Sequence, residues 1–197
     1  MKTGRLEAFS DGVLAIVITI MVLEIKAPED TTFEGLLSVA PVFISYLLSF
    51  IYLGIYWNNH HHLMQVTEKV NGKILWANLH LLFWLSLIPF TTSWIGEHEH
   101  YYEALPVATY GFILLMCAMA YFILEKVLIK YHGDNHALSQ LCTNGLKEYT
   151  SLILCIAAIP LAYVYTWIAI ICYIVVALIW LTPDRRLETL MEGNEKG

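Results

Sequence analysis

The chain has 197 residues, of which 58% are hydrophobic and only 14% are charged, and its formal net charge is −6. Such a composition, gathered in long uncharged blocks, is typical of a polytopic membrane protein rather than a water-soluble domain. The negative net charge argues against a nucleic-acid partner and against a surface that binds acidic lipids. The four cysteines form no CxxC pair, so we predict neither a disulfide framework nor a thiolate metal site.

The first apolar segment differs from the others because it carries charge within a membrane-length stretch. Twelve uncharged residues separate Asp11 from Glu24. At about 1.5 Å per residue they cover roughly 18 Å of a hydrocarbon core that is about 30 Å thick. To cross a membrane, the segment must hold ionisable groups at membrane depth, where they are stable only if they face protein or water. We therefore expect it to be surrounded by other helices or to line an aqueous path.

Five further spans are predicted after the first. The last two share one apolar run of 35 residues, from Tyr149 to Pro183, which is too long for one helix and suits two short ones joined by a turn near Tyr163. A five-span count would reverse the C-terminus. We predict an all-α membrane protein in which residues 1–197 form a single six-span domain, with approximate spans at 6–26, 34–62, 70–96, 102–130, 147–164 and 166–183.

The charges in the loops indicate an orientation. With six spans and the N-terminus in the cytoplasm, ten of the eleven lysines and arginines lie on the cytoplasmic side: Lys2, Arg5, Lys69, Lys73, Lys126, Lys130, Lys147, Arg185, Arg186 and Lys196. This asymmetry follows the positive-inside rule and predicts a multi-pass protein with both termini in the cytoplasm. The outer loops are acidic, with Glu29, Asp30, Glu34, Glu97, Glu99 and Glu103, which either concentrates cations at that mouth or only keeps the loops hydrated.

Helical periodicity gives the first span two distinct faces. At 100° per residue, one face groups Gly12, Ile16, Thr19, Ile20 and Leu23, and a second face groups Asp11, Ala15, Ile18 and Val22. If several copies surrounded an axis, the first face would form stacked apolar rings with one hydroxyl between them, which is a hydrophobic constriction. The alternative is a core helix whose isoleucines pack against neighbouring helices.

The start of this span carries a recognisable motif. Arg5-xxx-Phe9-Ser10-Asp11 resembles the RxxxFSD signature of the transmembrane protein 175 family, which comprises lysosomal potassium channels of animals and bacterial homologues. The resemblance continues in Trp57-Asn58-Asn59-His60-His61, in Asn78-Leu79 and in Pro89-Phe90-Thr91-Thr92. It covers the first half of the chain, whereas the last three spans match only in number and hydrophobicity. One six-helix unit is similar to the bacterial form of the family.

The resemblance implies a homotetramer in the bacterial inner membrane whose first helices line a central cation pathway. Potassium would be the permeant ion, preferred over sodium, with no other cofactor and no enzymatic function. The sequence contains no TVGYG run, so a carbonyl filter of that type is excluded. The family's constriction maps onto Ile16, Ile20 and Leu23, with Thr19 as a polar layer.

The motif residues are implied to hold the pore helix against its neighbours and to act in gating: Arg5, Phe9, Ser10 and Asp11. A carboxylate at membrane depth needs hydrogen-bond donors. For Asp11 we predict Arg5, a histidine of the second span such as His60, or Asn78 as the donor. Trp57, at the end of the second span, is expected to be an interfacial aromatic anchor.

Two other functions remain open at this level. A metal-dependent membrane enzyme is one, because imidazoles of two spans can converge on a metal; the candidates are His60, His61, His62 and His80. Their spacing disfavours it, since adjacent histidines point 100° apart on a helix. A secondary cation transporter is the other, but it requires a polar site at the membrane midplane, and the middles of the second to fourth spans offer little beyond Tyr, Ser and Thr.

Overall fold

A computed structural model describes residues 3–96, 103–133 and 145–181. Apart from a single bridge residue at Lys69, the regular structure in these ranges is helical. The helices, numbered in chain order, are α1 (Gly4–Leu23), α2 (Phe33–Ser38), α3 (Ala40–Gln65), α4 (Gly72–Leu85), α5 (Ile88–Gly96), α6 (Ala104–His132), α7 (Gly145–Leu161) and α8 (Thr166–Leu181). Some predictions fall outside the described residues, namely those for Lys2, Glu97, Glu99, Arg185, Arg186 and Lys196 and for the ends of the predicted spans at 102 and at 182–183.

Among the described residues, four stretches are long and apolar enough to cross a membrane: α1, α3, α4 together with α5, and α6. The run from Tyr149 to Pro183 contains two shorter helices, α7 and α8, of 17 and 16 residues. A turn at residues 162–164 joins them.

Two of the predicted spans are each broken into two helices, and a proline explains each break. Pro41 lies in the first turn of α3, where a missing N–H needs no partner. A new helix, α3, therefore begins here after the short α2. Pro89 lacks the N–H that would bond the carbonyl of Leu85, the last residue of α4. The chain therefore passes through Ser86 and Leu87 before α5 begins.

The core of the bundle is centred on α6, which contacts α4, α5, α7 and α8. Its Gly111 lies against Tyr173 of α8, and a Cβ atom at Gly111 would overlap the tyrosine hydroxyl. That hydroxyl donates to the carbonyl of Val107 (3.2 Å), and Tyr52 Oη of α3 donates to the carbonyl of Tyr173 (2.6 Å). These buried contacts join α3, α6 and α8 into one packed unit.

Both ends of α1 are bonded to other elements. At its start, Thr3 Oγ1 donates to the carbonyl of Thr67, just after α3, at 2.6 Å. At its end, Ser93 Oγ of α5 donates to Glu24 Oε2 at 3.2 Å. Because successive long helices run in opposite directions, the described basic residues other than Lys26 lie at one end of the bundle: Arg5, Lys69, Lys73, Lys126, Lys130 and Lys147. We call this the basic end.

Candidate pore helix and its polar anchor

The two sides of α1 have different environments. Its buried residues recur every three or four positions: Leu6, Ser10, Leu14, Val17 and Met21. At 100° per residue the opposite side carries the exposed Arg5, Phe9, Gly12, Ile16, Thr19, Ile20 and Leu23. We call this the outer face of α1. All four residues predicted to form a constriction lie on it, directed away from the packed core of their own chain.

The outer face is apolar along its last two turns. Ile16 and Leu23 are 60% and 78% exposed. The Thr19 hydroxyl donates to the carbonyl of Ile16 at 2.9 Å. Because its one proton is used in that bond, the Thr19 oxygen presents only lone pairs outward. The layer between the apolar side chains is therefore an acceptor, which suits a cation.

On the buried side, the serine of the motif is part of a polar cluster. Ser10 Oγ donates to the carbonyl of Leu6 (2.9 Å) and accepts from Asn78 Nδ2 of α4 (2.9 Å). Asn78 Oδ1 in turn bonds His60 Nε2 of α3 at 2.7 Å. The three side chains are almost completely buried, with at most 2% exposed. We call Ser10, Asn78 and His60 the polar anchor, because it connects α1 to two other helices.

The polar anchor defines a tautomer for its histidine. A carbonyl oxygen such as Asn78 Oδ1 only accepts, so His60 Nε2 carries a proton in this bond. His60 Nδ1 is buried without a hydrogen-bond partner in the part of the chain that the structure describes. Three of the residues singled out from the sequence are thus brought together, although not around Asp11.

The carboxylate of Asp11 has a different donor from those predicted. Trp57 Nε1 of α3 donates to Asp11 Oδ1 at 3.0 Å, while His60 and Asn78 bond to each other and to Ser10. Arg5 lies on the outer face, exposed. The sequence indicated Trp57 as an interfacial anchor and as part of the family resemblance, but not as a partner of Asp11. Its position one turn before His60 on α3 places it beside the residue that follows Ser10.

Sequence reasoning also missed Glu7. Its Oε1 lies 2.9 Å from Nδ1 of His61, whose Nε2 lies 2.8 Å from Gln65 Nε2. The rings of His61 and Trp57 are stacked, with centroids 5.7 Å apart and planes at 13°. The spacing of Glu7 could have indicated this contact, since Glu7 precedes Ser10 and Asp11 by about one helical turn. Glu7 and Asp11 therefore form two contacts with α3, on either side of the polar anchor.

Three of the four histidines considered as metal ligands have hydrogen-bond partners, whereas His62 Nδ1 is buried without one in the part of the chain that the structure describes. His60 bonds Asn78, His61 bonds Glu7 and Gln65, and His80 Nε2 accepts from Trp84 Nε1 at 3.0 Å. Within the described ranges, no group of three His, Cys, Asp or Glu side chains is arranged to hold a metal ion. The geometry gives no support to the metal-enzyme alternative.

An apolar helical bundle with four membrane-length stretches among its described residues, and with the carboxylates of Glu7 and Asp11 on α1 bonded to α3, is a polytopic α-helical membrane protein. Comparison with known proteins defines it further. The model of the family described as endosomal/lysosomal potassium channel TMEM175 matches residues 5–89. The chain belongs to the TMEM175 family, as the following relatives show.

A potassium channel of Chryseobacterium sp. (strain P1-3) is 56% identical over 194 residues, which cover 98% of this chain and all of that protein. A potassium channel of Chamaesiphon minutus is 30% identical over 187 residues, covering 88% of this chain and 91% of that one. Among solved structures, the crystal structure of a lysosomal potassium-selective channel TMEM175 homologue from Chamaesiphon minutus matches with a TM-score of 0.77 and 28% identity. That match covers 91% of this chain and 96% of the other.

Proposed function

We propose that this chain is a potassium channel of the bacterial inner membrane, in which four copies place the outer face of α1 around a central pathway. The observation that carries the proposal is the position of this face, opposite the packed side of the helix and exposed in the single chain. The bacterial relatives named as potassium channels support the choice of ion. An ion-channel family is not a class of enzymes.

In this assembly, Ile16, Ile20 and Leu23 form successive apolar rings, each about one helical turn from the next. Water and ions cross a narrow apolar ring only at a dehydration cost, so such rings gate and discriminate without a carbonyl cage. The Thr19 oxygen, which acts only as an acceptor, lies between them and is a place where a cation is partly re-solvated. A preference for potassium over sodium follows if the ring strips water from the ion, because potassium is the less tightly hydrated of the two.

The role proposed for the polar anchor is to fix the rotation of α1 about its own axis. A rotation of one residue, about 100°, would bury Ile16 and Ile20 in one direction or Ile18 and Val22 in the other, and in both cases would remove Ser10 from Asn78. Ser10, Asn78 and His60, with the Asp11–Trp57 bond, prevent that rotation, so they act in gating through the pore helix rather than as ligands of the ion. Arg5 and Phe9 lie on the outer face and are proposed to contact neighbouring copies of the chain near the pore entrance.

We also propose six membrane crossings with both termini in the cytoplasm. The shorter helices α7 and α8 complete the count, and the clustering of basic residues at one end of the bundle supports the orientation. Span lengths of 16 and 17 residues are at the lower limit for crossing. The accessibility of single-cysteine variants from either side of the membrane tests these last two crossings.

The proposal is tested by potassium flux into liposomes that contain the purified protein, with valinomycin defining the maximal uptake. We expect voltage-driven flux that is larger for potassium than for sodium, and Ile16→Asn and Leu23→Asn to change its size or its ion preference. Ile44→Asn is the matched control, because Ile44 of α3 is also 60% exposed but lies outside the proposed pore.

If Ile16→Asn and Leu23→Asn behave like the wild type, the constriction is not on α1. Saturable uptake that needs a counter-ion would instead establish the secondary transporter. Proton-driven uptake recorded in the same vesicles determines whether protons share the pathway.

A further inference from the structure

A cavity of about 450 Å³ lies away from α1, between α3, α6, α7 and α8. Its volume is within the range of about 300–1,000 Å³ that holds drug-sized ligands. Along α6 the lining extends from Leu114 to Glu125, and eleven steps of about 1.5 Å each make this roughly 16 Å of helix. The cavity is therefore long and narrow, and it suits an extended molecule rather than a compact one.

The two ends of the cavity differ chemically. The part away from the basic end of the bundle is lined by apolar side chains such as Leu114, Cys155 and Val176, whereas the part near the basic end contains the carboxyl groups of Glu125 and Glu148. Glu125 is 5% exposed, so its carboxyl group lies within the protein rather than in bulk water. An amphiphile with an apolar chain and a polar head would match this polarity.

Aromatic rings line the same cavity as the two carboxyl groups. Tyr56 and Tyr121 pack edge to face, with centroids 6.2 Å apart, and Trp180 Nε1 donates to Ser151 Oγ at 2.9 Å. All four of these residues line the cavity. Carboxylates combined with aromatic faces are the chemistry that recognises an ammonium group, through charge-assisted hydrogen bonds and cation–π contacts.

The charges next to the cavity fit the same ligand. Lys126 and Lys147 adjoin the two glutamates in the sequence, but neither is among the described residues that line the cavity. The Lys126 ammonium lies over the ring of Phe122, which lines the cavity, 5.0 Å from the ring centroid. The rim therefore already accommodates an ammonium group, while the charged side chains that face the cavity are acidic.

The cavity is accessible from outside the single chain. Met119, Phe122 and Ile156 on its lining are between 43% and 52% exposed, and Tyr149 is 66% exposed. An amphiphile already dissolved in the bilayer can enter sideways, with its head at the level of the glutamates and its chain between the helices. No opening of the bundle is required.

We propose that this cavity binds an amphiphilic amine, a molecule with one extended apolar chain and a cationic amine head, and that Glu125 and Glu148 recognise the head. The site is distinct from the outer face of α1. It does not depend on the channel proposal, because binding is measured without any ion flux.

The test uses a photoreactive alkyl amine with a diazirine on its chain, applied to the full chain reconstituted in nanodiscs. Mass spectrometry locates the labelled residues, and dodecylamine, dodecanol and dodecanoic acid compete at matched concentrations. We expect labelling on α6 and α7 within the cavity. Dodecylamine should compete at a concentration at least about tenfold lower than dodecanol, since one charge-assisted contact of about 1.4 kcal/mol corresponds to that ratio.

Variants separate recognition of the head from a nonspecific apolar cavity. Glu125→Gln combined with Glu148→Gln should reduce the advantage of the amine to less than about threefold without changing competition by the alcohol. Glu148→Gln alone, at a half-buried position, is expected to remove part of the advantage and serves if the double variant does not fold. Glu68→Gln, in an exposed loop, is the control and should leave the advantage of the amine over the alcohol unchanged.

Ala118→Phe places a ring in the cavity and should abolish labelling at these residues. Equal competition by the three compounds, a preference for the acid, or unchanged labelling of Ala118→Phe would each overturn the proposal.

Discussion

The two sides of α1 have nearly the same hydrophobicity but different functions in the molecule. The inward side places Leu14, Val17 and Met21 in the core, each at most 4% exposed, and adds Ser10 to the polar anchor. The outward side presents Ile16 and Leu23, which contact little of their own chain. Hydrophobicity alone does not distinguish the sides, since lipid, protein and a dewetted pore all accept an isoleucine.

The difference is in the polar groups. The inward polar groups are paired within the chain, through Asn78 and His60, so that side is complete in one subunit. Along the last two turns of the outward side, the Thr19 hydroxyl uses its proton internally and directs an acceptor oxygen away from the bundle. The inward side thus stabilises the fold, whereas the outward side acquires its role only next to something outside the single chain, which we propose to be the pore.

The largest difference in stability between the two sides is expected when a leucine on each side is truncated to alanine. Leu14→Ala should lower the free energy of unfolding by about 3 kcal/mol, because it leaves a cavity in a packed interior at a residue that is 2% exposed. Leu23→Ala removes the same atoms from a residue that is 78% exposed, and should change the stability of the subunit by less than about 0.5 kcal/mol.

Both values are measured by SDS titration in mixed micelles, with subunit unfolding and dissociation of any oligomer followed separately. Equal losses for the two variants would show that the outer face is packed within the chain after all.

The polar anchor gives the next largest effect. Asn78→Leu keeps the approximate size of the side chain but leaves the Ser10 hydroxyl and His60 Nε2 without their buried partner. We expect a loss of about 2 kcal/mol, since each unsatisfied buried polar group costs about 1–3 kcal/mol.

Asn58→Leu is the matched control, because Asn58 is exposed on α3 and should change the unfolding midpoint little. A wild-type midpoint for Asn78→Leu would mean that the anchor does not hold α1 in place.

Much of this arrangement was predictable from the sequence. The all-helical membrane fold follows from long uncharged blocks, and the confirmed family assignment from the motif at Arg5, Phe9, Ser10 and Asp11. Periodicity also grouped Ile16, Thr19, Ile20 and Leu23 on one face. It did not predict whether that face points to lipid, to protein or to a pore. That choice depends on which residues the other helices cover, and it is a property of tertiary packing.

The partners within the site were less predictable. The carboxylate of Asp11 was expected to attract Arg5, His60 or Asn78, but Arg5 is exposed on the outer face and Asn78 bonds both His60 and Ser10. A serine hydroxyl both donates and accepts, so it can sit between a backbone carbonyl and an amide in a buried position that would be costly for a charge. The carboxylate instead lies closer to the surface with the Trp57 indole. Sequence spacing gives the helix face of a residue but not its depth, and depth decided this pairing.

The smallest effect concerns that last bond. Trp57 is 44% exposed, so its hydrogen bond to Asp11 is partly screened and we expect a coupling of about 1 kcal/mol. A double-mutant cycle of Trp57→Phe and Asp11→Ala measures it, because phenylalanine retains an aromatic ring beside His61 while removing the indole N–H. Trp76→Phe paired with Asp11→Ala is the control, since Trp76 is 75% exposed on α4, and its effect should be additive. If the Trp57 cycle is additive as well, Asp11 does not depend on Trp57, and the rotation of α1 is fixed by the buried anchor alone.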